Sequence, residues 1–329
     1  MQKVDSVDVS IIILTYKSKE HLAVLLPSIF ESLGINFESS SINKSSNVSS
    51  RPSASEWRDP STPQMHSSVG MTDKDYAAEV IIVDNDSQDG TLESLSTSHY
   101  PLATIPNINN GFSKGNNVGI KQSSGRYVLL LNPDTKLETD TLKIMLGFME
   151  SRPDVGMAGC KLIKANGKLD LACRRRFPNP VNSFKRLFLR DNKDYNYSNI
   201  PEDVSMEVDS VVGAFLLIRK SIIEKIGLLD EDFFMYGEDL DWAWRCKEAG
   251  FKVWYYPKAL AYHYKGESSK KTPFRSLKVF HDSMWIFYKK HYAKDYFFAF
   301  NWLVFLGIYS RLGALSFINL FKSNPVVSK

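Results

Sequence analysis

The chain has few cysteines and no long apolar run near its start. Three cysteines occur among the 329 residues, at Cys160, Cys173 and Cys246. None of them is part of a CxxC pair, so they fit a reducing compartment better than a disulfide framework. The apolar stretch at residues 11–14 is too short for a secretory signal, and Asp5 and Asp8 precede it. We therefore expect the folded part of the chain to remain in the cytosol.

A strong charge of either sign is also missing. The 41 basic and 37 acidic residues leave a formal net charge of +4, which by itself does not indicate a nucleic-acid partner, and we expect none. Hydrophobic residues at 43% and charged residues at 24% are ordinary for a globular protein. The chain is long enough for one large α/β domain with additional segments.

Short apolar runs alternate with helical patterns through the first half of the chain. The predicted strands are 9–15, 79–83, 103–105 and 127–131, and the predicted helices are 19–33, 88–95 and 118–122. Alternating strands and helices predict an α/β fold with a doubly wound, mostly parallel central sheet. The second half is mixed, with predicted strands at 155–163, 208–218 and 251–256 and a helix at 240–249.

Composition divides the chain into segments. Residues 35–78 are rich in Ser, Asn and Pro with little apolar content, which predicts a flexible insertion between the first helix and the second strand. We expect one domain over residues 1–270 that carries this insertion. A C-terminal helical segment follows over residues 271–329.

The C-terminal segment is apolar but interrupted. Arg311 separates the apolar stretches 296–309 and 312–321. A membrane-spanning helix needs about 20 uninterrupted apolar residues, so a pair of helices lying in the membrane interface is favoured. Four lysines flank this segment: Lys289, Lys290, Lys294 and Lys322. A helix packed on the core and a spanning helix are the alternatives.

An acidic residue follows the fourth predicted strand, in Asn132-Pro133-Asp134. Ligands of open α/β sheets bind just outside the carboxyl ends of the strands. Asp134 with Asn132 is therefore predicted to bind a divalent cation whose other ligands come from a diphosphate, and a turn cap is the alternative. Asp84 is predicted to bind a ribose or base, with a helix cap as the alternative. Right-handed crossovers would bring Thr15, Asp84 and Asp134 to one cleft.

A second acidic group lies at the start of the predicted helix near residue 240. Asp239 is a candidate general base toward a hydroxyl group, and stabilisation of Glu238 and Asp239 by the helix dipole is the alternative. Asp241 and Arg245 are four residues apart and are predicted to form a structural ion pair. His263 closes a predicted strand and is a candidate further metal ligand.

Two other segments are candidates for binding phosphate groups. Residues 109–119 hold three glycines and several asparagines ahead of a helix, so their backbone amides are candidates for contacting a donor, with simple turns as the alternative. The basic run 174–176 is predicted to be a solvated surface. Contact with an anionic acceptor such as a lipid diphosphate is the alternative.

In series, these segments resemble glycosyltransferase family 2, which has the GT-A nucleotide-sugar fold, and most of all its bacterial rhamnosyltransferase-type branch. The matching segments are 10–16, 83–87, 110–112 with 115–117, 130–134, 212–215, 229–239 and 256–259 with His263. They follow the order of the family across roughly residues 8–270. Each match is modest alone, but the series is specific.

The resemblance implies roles for individual residues. The donor would be bound by Thr15, Tyr16, Asp84, Asn85, Asn110, Gly111, Asn116 and Asn132. Mn²⁺ or Mg²⁺ would be held by Asp134, Asn132 and His263. Asp239 would be the catalytic base, with Glu238 beside it. Two features depart from the family: Asn132 replaces the first Asp of its DxD motif, and the insertion at 35–78 is unusual.

The resemblance also implies an activity. It favours inverting transfer of L-rhamnose from dTDP-L-rhamnose to a polyprenyl-diphosphate-linked saccharide, in the synthesis of O-antigen- or capsule-type surface polysaccharide. The enzyme would be cytoplasmic and peripherally associated with the inner face of the cell membrane. A UDP-hexose-dependent member and a non-catalytic sugar-nucleotide-binding protein are the alternatives. A nucleotidyltransferase would carry a Gly-rich basic loop after the first strand, where Thr15-Tyr16-Lys17-Ser18 stands instead.

Overall fold

The computed structural model of the chain describes residues 7–35, 74–188, 193–264 and 273–322. Most of the insertion predicted from the sequence, residues 36–73, lies outside these ranges, so its predicted flexibility stays a prediction.

Strands and helices alternate from β1 to β4, up to residue 131, and the order is mixed afterwards. The strands are β1 (Val9–Thr15), β2 (Ala78–Asn85), β3 (Leu102–Asn107), β4 (Tyr127–Leu131), β5 (Thr135–Leu137), β6 (Val155–Lys164), β7 (Met206–Val208), β8 (Phe215–Arg219) and β9 (Lys252–His263). The helices are α1 (Lys19–Ser32), α2 (Thr91–Ser96), α3 (Phe112–Gln122), α4 (Thr141–Ser151), α5 (Pro180–Phe188), α6 (Lys220–Ile226), α7 (Glu238–Glu248), α8 (Pro273–His291) and α9 (Phe298–Asn319).

The described strands form one sheet in the order β3-β2-β1-β4-β8-β6-β9-β5, and β7 pairs with β9. The first four strands in the chain, β1 to β4, are parallel to one another, as predicted. β8 runs antiparallel to β4 and β6, while β5 and β7 run antiparallel to β9. The predicted α/β class is confirmed, and each antiparallel pair includes a strand from the second half that the sequence marks as mixed.

The parallel strands bring several predicted site residues to one edge. The side chains of Ile11, Ile12 and Ile13 in β1 are fully buried, because β1 lies between two strands in the middle of the sheet. Thr15 at the end of β1 pairs with Asp84 of β2. β4 is parallel to β1, so its carboxyl end lies at the same edge. This is where α/β proteins place ligands.

Three predicted boundaries are wrong. Helix α3 begins at Phe112, so Asn116 and Asn117 are helical rather than part of a loop. The strand predicted over 208–218 is divided between β7 and β8, because residues between them turn away from the sheet and Ser210 pairs with Arg175 instead. β9 continues through Pro257 to residue 263, with a register shift against β6 in this region.

The C-terminal helices α8 and α9 pack against each other. Within the described part of the chain, α9 is the one helix long and apolar enough to cross a membrane, and only 6% of that apolar window is buried. The apolar window of α9 is therefore mostly unburied, and the place of this helix relative to a membrane stays a prediction. Arg311, which interrupts the apolar pattern, donates from Nη1 to Nε2 of His281 in α8 at 2.8 Å.

Candidate active site

The turn after β4 is fixed to the segment that precedes β8. The backbone N–H of Asn132 donates to the carbonyl of Ala214 at 3.1 Å. The hydroxyl of Thr135 donates back to the carbonyl of Asn132 at 2.7 Å and closes the turn. Asp134 therefore lies at the carboxyl edge of the sheet, held by contacts on both sides of the turn.

Asp134 belongs to a group of three side chains, which we call the Asp134 group: Asp134, His263 and Asp170. His263 Nε2 lies 3.4 Å from Asp134 Oδ1, and His263 Nδ1 lies 3.0 Å from Asp170 Oδ2. Both His263 and Asp170 are buried, whereas the Asp134 side chain keeps 22% of its surface exposed. His263 thus joins a buried carboxylate to a partly open one.

The sequence gives no indication of Asp170. It joins the group because β6 is parallel to β9 and pairs Lys164 with His263. The chain then turns back so that Leu169 bridges to Ile163, and the N–H of Asp170 donates to the Leu162 carbonyl at 2.8 Å. Only the strand pairing brings this carboxylate beside His263.

The charges in the Asp134 group stabilise one another. Burial by itself raises the pKa of Asp134, but contact with His263 and its positive charge outweigh burial, so the pKa is lowered. Burial likewise lowers the pKa of His263, and the carboxylates of Asp134 and Asp170 outweigh it, so that pKa is raised. The 3.4 Å separation is longer than a good hydrogen bond, so the attraction is mainly electrostatic.

The second acidic group lies at the N-terminus of α7, and we call it the Asp239 group: Glu238, Asp239 and Arg175. Asp239 Oδ2 accepts a hydrogen bond from the backbone N–H of Gly213 at 3.0 Å. The same oxygen lies 2.9 Å from Arg175 Nη2 in a buried ion pair. Gly237, with φ at 90°, supplies the left-handed turn from which α7 begins.

Arg175 corrects the prediction of a solvated basic run. Arg174 and Arg175 are buried, and Arg175 Nη2 also donates to the Val211 carbonyl at 2.6 Å. Arg174 donates to the carbonyls of Ile200 and Pro201. Only Arg176 resembles a surface residue, paired with Asp194 at 2.9 Å. The antiparallel bridge between Arg175 and Ser210 draws this run inward, which its composition does not reveal.

Glu238 is the member of the Asp239 group that holds a proton. Burial, followed by the charge of Asp239, raises its pKa to about 8. Its Oε2 is buried and has no hydrogen-bond partner among the described residues. A protonated Glu238 avoids placing two negative charges against one guanidinium. Asp241 forms the predicted ion pair with Arg245, at 2.7 Å, and also contacts His291.

The two groups lie on either side of one short segment. The N–H of Gly213 holds Asp239, and the carbonyl of the next residue, Ala214, accepts from Asn132. The pairing of Leu131 in β4 with Phe215 in β8 also fixes this arrangement. Asp134 and Asp239, which are far apart in the chain, are therefore connected through two consecutive residues.

The residues predicted at the nucleotide differ in what their side chains already contact. Thr15 Oγ1 is buried and has no hydrogen-bond partner in the described part of the chain, while Tyr16 is 40% exposed beside it. Asp84 accepts from the N–H of Ser87 at 3.2 Å and does not cap α2, whose N-cap is Gly90. Among the residues predicted at the nucleotide, Thr15 is thus the one whose buried side-chain oxygen lacks a hydrogen-bond partner in the described ranges.

The asparagines that are predicted to bind the donor form hydrogen bonds within the protein. Asn85 Oδ1 accepts from Asn107 Nδ2 at 2.7 Å, and Asn85 Nδ2 donates to the Gly111 carbonyl at 3.3 Å. Asn116 Nδ2 donates to the carbonyl of Phe112 at 2.9 Å. Gly111 has φ at 104°, and an added Cβ would lie 2.5 Å from the Phe234 carbonyl. The N–H of Asn110 donates to the Ile108 carbonyl at 2.8 Å. Direct donor contacts by these residues stay a prediction.

The carboxylates of the Asp134 group are of the donor type that Mn²⁺ and Mg²⁺ prefer, but the group offers few of them. No cluster of three or more His, Cys, Asp or Glu side chains in the described ranges has a metal-binding arrangement. Asp134 Oδ1 and His263 Nε2, however, are 3.4 Å apart, close to the separation of roughly 3 Å between neighbouring ligands of a six-coordinate ion. Asp170 fixes the other ring nitrogen, as supporting carboxylates commonly do in metal sites.

Comparison with known proteins gives a consistent result. The profile of the family described as "Glycosyltransferase like family 2" matches residues 69–277, more than half of the chain. Rhamnosyltransferase WbbL of Escherichia coli K12 is 29% identical over 195 residues, covering 56% of this chain and 72% of WbbL. The N-acetylglucosaminyl-diphospho-decaprenol L-rhamnosyltransferase of Mycobacterium tuberculosis is 26% identical over 227 residues, covering 63% of this chain and 73% of the relative.

Solved structures support the fold. The crystal structure of S. aureus TarS superposes with a TM-score of 0.52 at 16% sequence identity. The match covers 92% of this chain and 43% of TarS, so it concerns architecture only. Strand β1 lies outside the segment that the family profile matches, yet it pairs with β2 and β4 in the middle of the same sheet.

Proposed function

Because the chain belongs to the glycosyltransferase-like family 2, we propose that it transfers a sugar from a nucleoside-diphosphate donor to a lipid-linked saccharide with inversion at the anomeric carbon. The favoured donor is dTDP-L-rhamnose, since two relatives are named as rhamnosyltransferases. One relative's name places its acceptor on decaprenyl diphosphate, which supports a polyprenyl-diphosphate-linked acceptor here. Transfer would take place at the cytoplasmic face of the membrane, with the enzyme peripherally bound, and would contribute to surface polysaccharide.

One observation carries this proposal: the connection of Asp239 to the Asn132–Asp134 turn through Gly213 and Ala214. A donor diphosphate at the carboxyl edge of the sheet would lie beside the Asp134 group. The acceptor hydroxyl would then approach from the side of Asp239. Inversion requires this opposition, because the nucleophile attacks the anomeric carbon from the face opposite the leaving group.

The residues of the Asp239 group would divide the work. Asp239 would receive the proton of the acceptor hydroxyl during attack. Arg175 and the N–H of Gly213 hold one of its oxygens. This would leave Oδ1 to face the acceptor; among the described residues, the neighbouring N–H of Leu240 donates to Oδ1. Glu238, protonated near neutral pH, would keep a second negative charge away from the base.

The residues of the Asp134 group would bind the leaving side. Asp134 and His263 would hold the divalent cation, with Asn132 as the third predicted ligand. The cation, when bound, would supply positive charge opposite the departing diphosphate. Thr15 and Asp84 would lie at the nucleoside, because they pair at the ends of neighbouring parallel strands.

The test is a donor panel. Purified protein with Mn²⁺ or Mg²⁺ is given dTDP-L-rhamnose, UDP-hexoses and UDP-N-acetylhexosamines, each with a polyprenyl-diphosphate-linked saccharide, and nucleoside diphosphate release is followed. We expect acceptor-dependent release with dTDP-L-rhamnose above all other donors. Release with a UDP-sugar instead would keep the reaction class and refute the donor. Binding of a donor with no acceptor-dependent release from any of them would refute the enzyme and favour a non-catalytic binding protein.

A further inference from the structure

Helix α9 presents an apolar face to the surroundings. Large exposed side chains occur along it, and they are Phe298, Trp302, Leu303, Leu306, Phe317 and Ile318. All 22 residues of α9 are described. Among them, Ser310 is the one polar residue at an exposed position. The helix is about 33 Å long, and exposed apolar side chains occur along this length. An ordinary protein surface exposes such side chains singly.

The polar side chains of α9 point to α8 instead. Arg311 donates to His281, and the Tyr309 hydroxyl donates to Asp282 Oδ1 at 3.1 Å. Asn301 Oδ1 accepts from the hydroxyl of Tyr288. Burial, aided by the charge of Arg311, lowers the pKa of His281 and keeps its ring neutral as an acceptor. The arginine that breaks the apolar pattern of the sequence is thereby removed from the exposed face.

A lipid surface fits this face better than a protein partner of defined shape. Aromatic residues lie at both ends of α9. Exposed lysines lie just beyond them, with Lys294 before the helix and Lys322 after it. Aromatic rings and lysines at the ends of an apolar helix are suited to the interface between acyl chains and anionic headgroups. The other face of α9 is bound to α8 by polar contacts, which favours a helix lying in the interface over one surrounded by lipid.

The opposite side of α8 contacts residues 230–241, which we call the acidic segment because it includes Glu238 and Asp239. Ser283 Oγ donates to the Met235 carbonyl at 2.9 Å. His291 Nε2 lies 2.8 Å from Asp241 Oδ1, and Lys290 pairs with Asp230 at 2.8 Å. Phe287 packs with Phe233 and Leu240 in a small apolar cluster of its own. Helix α8 therefore contacts the acidic segment from Asp230 at one end to Asp241 at the other.

We propose that α9 docks on the membrane through its apolar face and that α8 transmits this docking to the acidic segment, holding Asp239 and its neighbours in a fixed arrangement. Without a lipid surface, α9 exposes its apolar side chains to water, and its extensive packing among the described elements is with α8. With lipid bound, α9 is immobilised, and the polar contacts through His281 and Asp282 restrain α8. The acidic segment is then backed by a rigid helix.

This inference rests on the proposed function only for the advantage that docking would give. The acidic segment would become ordered at the membrane, where a lipid-linked acceptor resides. Docking and ordering themselves can be measured without any turnover. Failure of the sugar transfer would leave both measurements interpretable, and failure of the two measurements would leave the transfer chemistry untouched.

The first measurement is sedimentation with vesicles of phosphatidylcholine alone or mixed with phosphatidylglycerol. Wild type should pellet with both and more strongly with the anionic mixture. Leu306→Glu should reduce partitioning at least about tenfold, because it replaces a membrane-buried side chain by a charge. Val24→Glu, an equally drastic change at an exposed position of α1, is the matched control and should pellet normally. Normal pelleting of Leu306→Glu would overturn the docking surface. So would a lipid-independent dimer that this variant abolishes.

The second measurement is backbone hydrogen exchange of the acidic segment with and without anionic vesicles. Wild type should gain protection there on vesicle addition, and Leu306→Glu should not. Ser283→Ala, which removes the donor to Met235 but leaves α9 intact, should pellet like wild type and lose part of the added protection. Unchanged exchange of the acidic segment in lipid-bound wild type would refute transmission through α8.

Discussion

The two acidic groups beside Gly213 and Ala214 differ in how their charges are balanced. In the Asp134 group, His263 lies between two carboxylates, and the pKa of Asp134 is lowered while its side chain stays partly open. In the Asp239 group, Asp239 pairs with a buried guanidinium, and the pKa of the neighbouring Glu238 is raised to about 8. The first group keeps negative charge at an accessible position, whereas the second retains a proton in a buried one.

This difference matches the proposed division between binding and proton transfer. A cation and its diphosphate would need ionised, reachable oxygens, which Asp134 would provide. A general base would need a fixed position and a protected charge, which the ion pair of Asp239 with Arg175 would provide. The division should therefore be separable by substitution, and the predictions below run from the largest expected effect to the smallest.

The largest effect is expected for Asp239→Asn. Loss of the general base should lower kcat by roughly 10²–10⁴-fold, while nucleotide binding stays near normal because the Asp134 group is untouched. Steady-state transfer and nucleotide titration measure the two quantities separately. Asp232→Asn, the same change at a 67% exposed carboxylate in the acidic segment, is the control and should be nearly silent.

Asp134→Asn should act on the other side of the comparison. It leaves His263 without its open carboxylate partner, so Mn²⁺-dependent binding of nucleoside diphosphate should weaken, by more than the roughly 10–100-fold typical of losing a supporting group. Titration calorimetry with Mn²⁺ and with EDTA separates the metal-dependent part. Equal weakening in both would show that Asp134 contacts the nucleotide without a cation.

Asp170→Asn tests whether the buried carboxylate supports His263. The substitution keeps the shape but removes the charge that fixes the Nδ1 proton, so affinity for Mn²⁺ should fall about 10–100-fold with little change in fold stability. The paramagnetic signal of free Mn²⁺ reports the affinity directly. Asp203→Asn, at a 54% exposed position, serves for comparison. Unaltered Mn²⁺ affinity would remove Asp170 from the site.

Glu238→Gln should change the pH dependence of stability. The folded-state pKa of about 8 lies above the ordinary 4.5, so Glu238 contributes stability that is complete below pH 4.5 and is lost as the pH rises toward 8. The glutamine variant lacks this loss and should melt about 4 °C higher than wild type at pH 8, with little difference at pH 4.5. Exposed Glu224→Gln should shift neither value. A pH-independent difference would contradict the buried, protonated carboxyl.

Much of the parallel part of the fold could be predicted because its signals are local. The β-branched run of β1 marks a strand buried on both faces, and Asp84 and the Asn132–Asp134 turn follow buried strands directly. The Asp241–Arg245 pair was equally visible from its helical spacing. Each of these features depends on residues that are neighbours in the chain.

The rest depended on contacts between distant segments. Asp170 reaches His263 only because β6 and β9 are parallel, and Arg175 becomes buried only because it bridges to Ser210. Arg311 looks like a break in an apolar helix, since the sequence does not reveal that His281 accepts a hydrogen bond from it. Charge balance in a site is set by such partners, which composition and spacing do not encode.

The most direct test of the central division is a parallel titration of Asp134→Asn and Asp239→Asn with nucleoside diphosphate and Mn²⁺, combined with transfer rates at saturating donor. The two variants should fail differently: Asp239→Asn binds like wild type and turns over at least about 100-fold more slowly, and Asp134→Asn loses Mn²⁺-dependent affinity. Near-normal transfer by Asp239→Asn, or equal loss of binding in both variants, would contradict the assignment of separate roles.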